Sequence, residues 1–169
     1  GKAGLLNSKG LPNLDGVENF TAGLRKLKDN GAEYGVSLHT AGGSSVWRLW
    51  YSLLNQINGA QFMSGKTVCP DDNCGKVTGQ IKSWIDEELM SSETEYPDAI
   101  ALFTSGKAAM HFNGVWEVPT FTDLAKNNKL GFEWGAVRIP VIYDKPATWA
   151  DSHAFAVPHS DRKPITQEK

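Results

Sequence analysis

The segment from Ala101 to Pro119 constrains the fold of this chain more than any other. Gly106 suits the left-handed position that ends a helix. The next residues, Ala108 to Phe112, are short and apolar like a buried strand, and an Asn-Gly pair after them marks a tight turn. Helix, strand and helix in this order indicate a layered α/β domain. Trp116 then lies where the carboxyl end of a strand meets a helix N-terminus, the usual place for ligands in open α/β sheets.

The rest of the chain alternates in the same way between helical and extended patterns. Apolar residues at helical spacing predict helices over residues 15–31, 45–57, 77–89, 97–103 and 117–126. Extended patterns predict strands over 34–39, 108–112 and 132–139, a small hairpin over 61–77, and a further extended run over 148–157. Asp15 and Glu18 have the spacing of a capping box at the first helix. The predicted class is therefore α/β.

The charge balance excludes some classes of partner. Seventeen basic against nineteen acidic residues give a net charge of −2, which argues against nucleic-acid binding. No apolar run approaches the roughly 20 residues that span a bilayer. The sequence also lacks a Walker loop, a dinucleotide fingerprint and the His-Glu-x-x-His pattern of zinc proteases. No cofactor is predicted.

Cys69 and Cys74 are the chain's only cysteines, separated by Pro-Asp-Asp-Asn. Those four residues favour a turn, so the two thiols can meet across a tight loop. A disulfide is the favoured interpretation, and it would place the protein outside the cytosol. A metal site or two free thiols remain as alternatives, although structural zinc takes four ligands.

Five segments in order carry a family resemblance. The segment described first is similar to the F-x-x-GKAAM-x-x-NG-x-W motif of bacterial extracellular solute-binding proteins that serve sugar ABC transporters. The other segments that resemble this family are Lys2–Leu5, Leu14–Gly31, Gly131–Pro140 and Ala147–Pro158. The resemblance implies one lobe of a periplasmic-binding-protein-like (type II) fold, with a central mixed sheet flanked by helices.

The resemblance also implies how the chain is organised. Residues 1–150 correspond to most of the C-terminal lobe, and residues 151–169 to the segment that crosses toward an N-terminal lobe. We expect the chain to be a fragment whose partner lobe belongs to the same polypeptide. The family's other partners are a sugar ligand and an ABC transporter permease in the membrane. Its location is extracellular or periplasmic, and a membrane-anchored lipoprotein is expected for the full-length form.

The tryptophans are the leading candidates for sugar contacts, because flat apolar rings stack on the C–H faces of sugars. In the family, the Trp that matches Trp116 commonly stacks on a sugar ring. Trp47 and Trp50 follow a Gly-Gly loop at the start of a helix, and the matching family region supplies aromatic contacts. Core packing is the alternative for all three.

Polar candidates surround these tryptophans in the sequence. Glu117 follows Trp116 at a helix N-terminus, which favours a carboxylate with or without a ligand. His39 and Thr40 end a predicted strand beside the Gly-Gly loop. Asp151 and His153 replace residues that are often glycines in the family, and they either bind sugar hydroxyls or hold the crossing segment.

Other functions remain open on the sequence alone. A glycoside hydrolase would need two carboxylates at a defined separation, and Glu117 and Asp151 are the only pair to nominate. A self-contained carbohydrate-binding module would bind sugar with this chain alone. Arg48 and Arg138 could bind a phosphate group, so a phosphorylated ligand such as glycerol phosphate is an alternative. Polyamines are a further class of possible ligand. A sugar, and more specifically an oligosaccharide, is the favoured ligand, with no catalysis.

Overall fold

The computed structural model of the protein describes residues 3–43 and 45–151. Five helices are present in these ranges: α1 (Val17–Asp29), α2 (Val46–Gln56), α3 (Asn73–Asp86), α4 (Tyr96–Thr104) and α5 (Val118–Lys126). Four strands accompany them: β1 (Tyr34–Ser37), β2 (Met63–Ser64), β3 (Thr67–Val68) and β4 (Ala108–His111). The α/β class is confirmed, with small sheets flanked by helices.

The central sheet of the described residues pairs β1 with β4 in parallel. Tyr34 lies opposite Ala108, and Ser37 lies opposite His111. An isolated parallel bridge joins Val36 to Met90 on the other side of β1. Because parallel neighbours end at the same edge, the residues that follow β1 and β4 meet there. The edge that carries His39 therefore also carries the turn before Trp116.

The core lies between this sheet and helices α1, α2 and α3. Phe20 and Trp84 are fully buried and meet edge to face, with ring centroids 5.0 Å apart. The buried indole N–H of Trp84 donates to the Thr21 hydroxyl at 2.9 Å, so its polar atom is satisfied. Gly35 allows α1 to approach β1 closely, because a Cβ at that position would lie 2.8 Å from a Leu24 methyl carbon. Trp84 is thus a core residue.

Two local predictions are wrong. Residues 132–139 form no strand, although their alternating pattern predicts one. Among the described residues no strand pairs with them, and an alternating pattern cannot supply a partner. The capping box at α1 is also absent, because Gly16 is the N-cap and makes no side-chain cap. The Asp15 carboxylate instead accepts the backbone N–H of Val141 at 2.8 Å.

The hairpin in the structure is shorter than the sequence pattern predicts. Strands β2 and β3 pair antiparallel, and α3 begins at Asn73, inside the range expected for the hairpin. Cys69 and Cys74 form a disulfide with their Cα atoms 5.7 Å apart. The bond joins the end of the hairpin to the first turn of α3, and the predicted disulfide is confirmed.

Candidate functional site

One face of α2 holds the segment that follows residue 139. The Gln56 side chain is fully buried. Its carbonyl oxygen accepts the backbone N–H of Ile142 at 2.7 Å, and its amide nitrogen donates to the carbonyl of Pro140 at 2.9 Å. One helical turn earlier, the Ser52 hydroxyl accepts the N–H of Trp149 at 2.7 Å. Side-chain hydrogen bonds from α2 therefore take the place of a strand ladder and fix where Trp149 lies.

Another turn earlier on the same face, Arg48 lies among three indole rings. Its guanidinium carbon is 4.6 Å from the ring centroid of Trp149, 5.8 Å from that of Trp116 and 5.9 Å from that of Trp47. Trp47 and Trp149 also meet edge to face, with centroids 5.5 Å apart. We refer to these four residues as the aromatic surface. Trp47 and Trp116 are 46% and 48% exposed, so their rings are open to a ligand.

Trp116 is held in place from two sides. It lies in a short 3₁₀ turn, Val115–Glu117, that leads directly into α5. Its indole N–H donates to the Tyr96 hydroxyl at 2.8 Å. Its six-membered ring lies against the backbone of Gly114, where an added Cβ would overlap the ring. The glycine of the Asn-Gly turn is thus explained by close approach of the indole, with no positive φ involved.

The hydroxyl of Tyr96 is the centre of a polar network at the start of α4. It donates to the Glu117 carboxylate and accepts from the Asn113 side-chain amide at 3.3 Å, besides accepting from Trp116. Partial burial, and then the hydrogen bond to Glu117, raise the pKa of the Tyr96 phenol. The phenol therefore stays protonated and keeps donating to Glu117 at physiological pH.

The network continues inward to His111 on β4. Its Nε2 lies 2.9 Å from the Asn113 amide nitrogen, and its Nδ1 lies 2.9 Å from the Ser37 hydroxyl oxygen. The Ser37 hydroxyl donates to the carbonyl of Ala99, so we assign the ring proton to Nδ1, with Nε2 as acceptor. Burial lowers the pKa of His111 to about 4. His111 is thus a structural histidine with both ring nitrogens hydrogen-bonded.

His39 and Thr40 lie beside this network. The His39 ring packs edge to face on Tyr96, with centroids 5.9 Å apart, and its Nε2 is 3.6 Å from the Glu95 carboxylate. The Thr40 hydroxyl accepts the backbone N–H of Thr94 at 2.9 Å. Thr40 thus ties the end of β1 to the segment that precedes α4.

The other predicted site residues are placed as follows. Trp50 lies away from the aromatic surface, since its indole N–H donates to Thr78 on α3 at 2.9 Å and its ring packs on Phe62. Asp151 is exposed and lies two residues after Trp149. His153 lies outside the described residues, as does nearly all of the predicted crossing segment. The structure therefore gathers Trp47, Trp116, Glu117 and His39 at one edge and separates Trp50 from them.

The sequence pattern does not nominate Tyr96 or Trp149 as site residues, and it offers Arg48 only as a residue for a phosphorylated ligand. Arg48, Ser52 and Gln56 are polar residues spaced four apart in a mostly apolar helix, and that spacing indicates a polar face that contacts something specific. Tyr96 precedes the proline of α4 and gives no comparable signal. Trp149 is 101 positions from Arg48 in the sequence numbering, so no local pattern could pair them.

The surroundings of the site bear on its chemistry. Two surface depressions, one beside Phe132 and Trp134 and one beside α4, share no lining residue with the aromatic surface. The exposure of Trp47 and Trp116 makes the aromatic surface an open face in the described part of the chain. Within the same residues, no group of three or more His, Cys, Asp or Glu side chains could hold a metal ion. None of the described helices is long and apolar enough to cross a membrane.

Comparison with known protein families identifies the family of this chain. Neither the curated proteins nor the solved structures contain a match to this chain. The family model described as bacterial extracellular solute-binding protein matches residues 3–166, which is nearly the whole sequence. The α/β fold of this chain agrees with that match, and so does its disulfide, because disulfides are typical of exported proteins. The chain belongs to the family of bacterial extracellular solute-binding proteins.

Proposed function

We propose that this chain binds a sugar, most specifically an oligosaccharide, at the aromatic surface. The observation that carries the proposal is the convergence of Trp47, Trp116 and Trp149 on one open face. Indole rings present flat apolar area at low cost in conformational entropy, which suits the C–H faces of sugar rings. Membership in an extracellular solute-binding family supports capture of a solute outside the cell.

The same proposal includes delivery to a permease without catalysis. A second lobe would close over the open aromatic face by hinge motion, and the closed form would dock on an ABC transporter permease. Glu117 serves as an acceptor for Tyr96 rather than as a general acid, since the Tyr96 hydroxyl donates to its carboxylate. We place the protein in the extracellular or periplasmic space, with a lipid anchor on the full-length polypeptide.

Isothermal titration with a panel of neutral mono- and oligosaccharides tests the binding proposal. The titrations use this chain and the longest polypeptide in which it naturally occurs. We expect saturable binding that Trp116→Ala weakens by about 10-fold to 100-fold, because a buried stacking contact is lost. Trp50→Phe is the matched control, because Trp50 lies off the aromatic surface.

The outcomes separate the alternatives. Binding by the longer polypeptide alone supports a two-lobed receptor, whereas equal binding by both would make the chain a self-contained carbohydrate module. New reducing ends after long incubation with an oligosaccharide would reveal a glycoside hydrolase and overturn the non-catalytic part. A folded protein that binds no carbohydrate would overturn the ligand class.

A further inference from the structure

Arg48 differs from the other arginines that the structure describes. Arg25 pairs with Glu87 at 2.6 Å, and Arg138 pairs with Asp15 at 3.6 Å. Among the described residues no carboxylate lies within ion-pair distance of Arg48. Its Nε is buried and has no hydrogen-bond partner there either. The cation at the centre of the aromatic surface is thus balanced by indole rings alone in the described part of the chain.

Indole rings stabilise a guanidinium but do not satisfy its N–H groups. The ring faces attract the positive charge and shield it from water. They accept no in-plane hydrogen bonds, so the planar fork of donors keeps its hydrogen-bonding capacity. In a partly desolvated position, that fork matches the geometry of a carboxylate, which it can bind through two parallel N–H···O bonds.

The surroundings favour a single negative charge on the ligand. In the described residues no lysine or second arginine makes a cation–π contact with the rings of Trp47, Trp116 or Trp149. A doubly charged phosphate would be only half neutralised by one guanidinium, whereas a carboxylate would be fully neutralised. The Glu117 carboxylate already accepts from Tyr96, and it makes no ion pair with Arg48.

We propose that the sugar taken by this site is acidic, carrying a carboxylate as uronic acids do, and that Arg48 binds that carboxylate while the surrounding indoles contact the sugar rings. The inference rests on the proposed sugar-binding function and narrows its ligand class. It explains why a cation that has no carboxylate partner among the described residues lies where stacking rings converge. Specificity for acidic over neutral sugars would follow, because a neutral sugar would leave the desolvated guanidinium without an anion.

The test compares acidic and neutral sugars of matched length. Galactose oligomers that carry one terminal galacturonate are titrated against neutral galactose oligomers of the same length at one fixed ionic strength, using the longest natural polypeptide. Galactose 1-phosphate serves as the phosphate probe. The variants are Arg48→Gln, which removes the charge, Arg48→Lys, which keeps the charge without the fork, and Arg25→Gln as the charge-matched control. Circular dichroism and thermal unfolding verify that each variant is folded.

We expect the uronate oligomers to bind at least about 10-fold more tightly than the neutral ones, because hydrogen bonds between charged groups contribute more binding free energy than neutral ones. Arg48→Gln should abolish that preference, so that uronate and neutral oligomers bind the variant with affinities within about 3-fold of each other, and Arg48→Lys should keep part of the preference. Arg25→Gln should leave the preference intact.

Four results would overturn the inference. If neutral sugars bind as tightly as uronates, Arg48 is a packing residue and the sugar-binding function stands without it. If galactose 1-phosphate binds more tightly than the uronates, the group that Arg48 binds is a phosphate and not a carboxylate. If the Arg48→Gln variant still prefers uronates, a residue other than Arg48 binds the carboxylate. Absence of binding to every sugar, acidic or neutral, would overturn the proposed function together with this inference.

Discussion

The indole N–H of Trp116 and the phenolic oxygen of Tyr96 form a hydrogen bond of 2.8 Å between the start of α5 and the start of α4. The same phenol donates to Glu117, so one hydroxyl orients two consecutive residues of the candidate site. The hydrogen bond to Tyr96 and the contact of the ring with Gly114 together fix the orientation of the indole. Tyr96 is thus a positioning residue for the aromatic surface.

Replacing Tyr96 by Phe should loosen Trp116 and Glu117 without removing the ring that packs on His39. We expect solute affinity to fall by about 10-fold, and the free energy of unfolding by about 1 kcal/mol, because the hydrogen bonds of one hydroxyl are lost. Titration calorimetry measures the change in affinity, and urea unfolding measures the change in stability. Tyr51→Phe is the matched control, since the Tyr51 ring packs on Phe62 outside the site. Equal affinities for the two variants would contradict a positioning role.

Replacing Gly114 by Ala should displace Trp116 directly. The backbone of Gly114 has φ −82° and ψ 164°, which alanine adopts without strain, so the change acts only through the overlap of its Cβ with the indole. We expect affinity to fall by about 10-fold or more through the loss of the stacking ring. Gly135→Ala is the control, because its Cβ would meet nothing within 4 Å. Unchanged affinity in a folded G114A protein would remove Trp116 from the binding site.

Burial of His111 makes stability depend on pH. Its pKa falls from 6.5 to about 4 on folding, so between those values the unfolded chain binds more protons than the folded one. The free energy of unfolding therefore decreases as the pH drops through 6.5, by about 2 kcal/mol between pH 7.5 and pH 5. Urea unfolding at both pH values measures the difference, and His111→Gln should reduce it by that amount. A variant with the same pH dependence as the original chain would assign the effect to other groups.

Replacing Gln56 by Leu should detach the segment that follows residue 139. Ile142, Tyr143, Pro140 and Ala147 each lose a backbone hydrogen bond to the Gln56 side chain, at 2.7 to 3.3 Å. We expect the free energy of unfolding to fall by about 2 to 4 kcal/mol, because buried backbone groups are left unpaired. Urea unfolding measures the loss, and Asn55→Leu on the exposed face of α2 is the control variant. A loss no larger than that of the control would show that Gln56 does not hold the segment.

Much of the fold follows from local pattern. The helices around Phe20, Leu53 and Trp84 are predicted because each apolar residue has partners three and four positions away, and that periodicity is written in the sequence. The disulfide is predictable for the same reason, since Cys69 and Cys74 are separated by a turn. The position of Trp116 after a strand also follows from neighbouring residues, and its role as a sugar contact stays a prediction.

The predictions that failed, and the residues that were missed, depend on partners distant in the sequence. The alternation over residues 132–139 predicts an extended backbone, but a strand needs a neighbour, and the described structure offers that region none. Asp15 has the spacing of a helix cap, yet its carboxylate accepts from Val141, which no local pattern relates to it. In both cases a long-range hydrogen bond or its absence overrides the local preference.

The sequence by itself determined the α/β class, the disulfide and the family, because these depend on periodicity, on short loops and on ordered motifs. Only the tertiary structure decided that Trp47 joins Trp116 while Trp50 packs on α3, and that Arg48 lies among the indoles. A helix pattern states which residues share a face but not what that face meets. What meets it is set by contacts between segments that can be more than a hundred residues apart, and these contacts exist only in the folded chain.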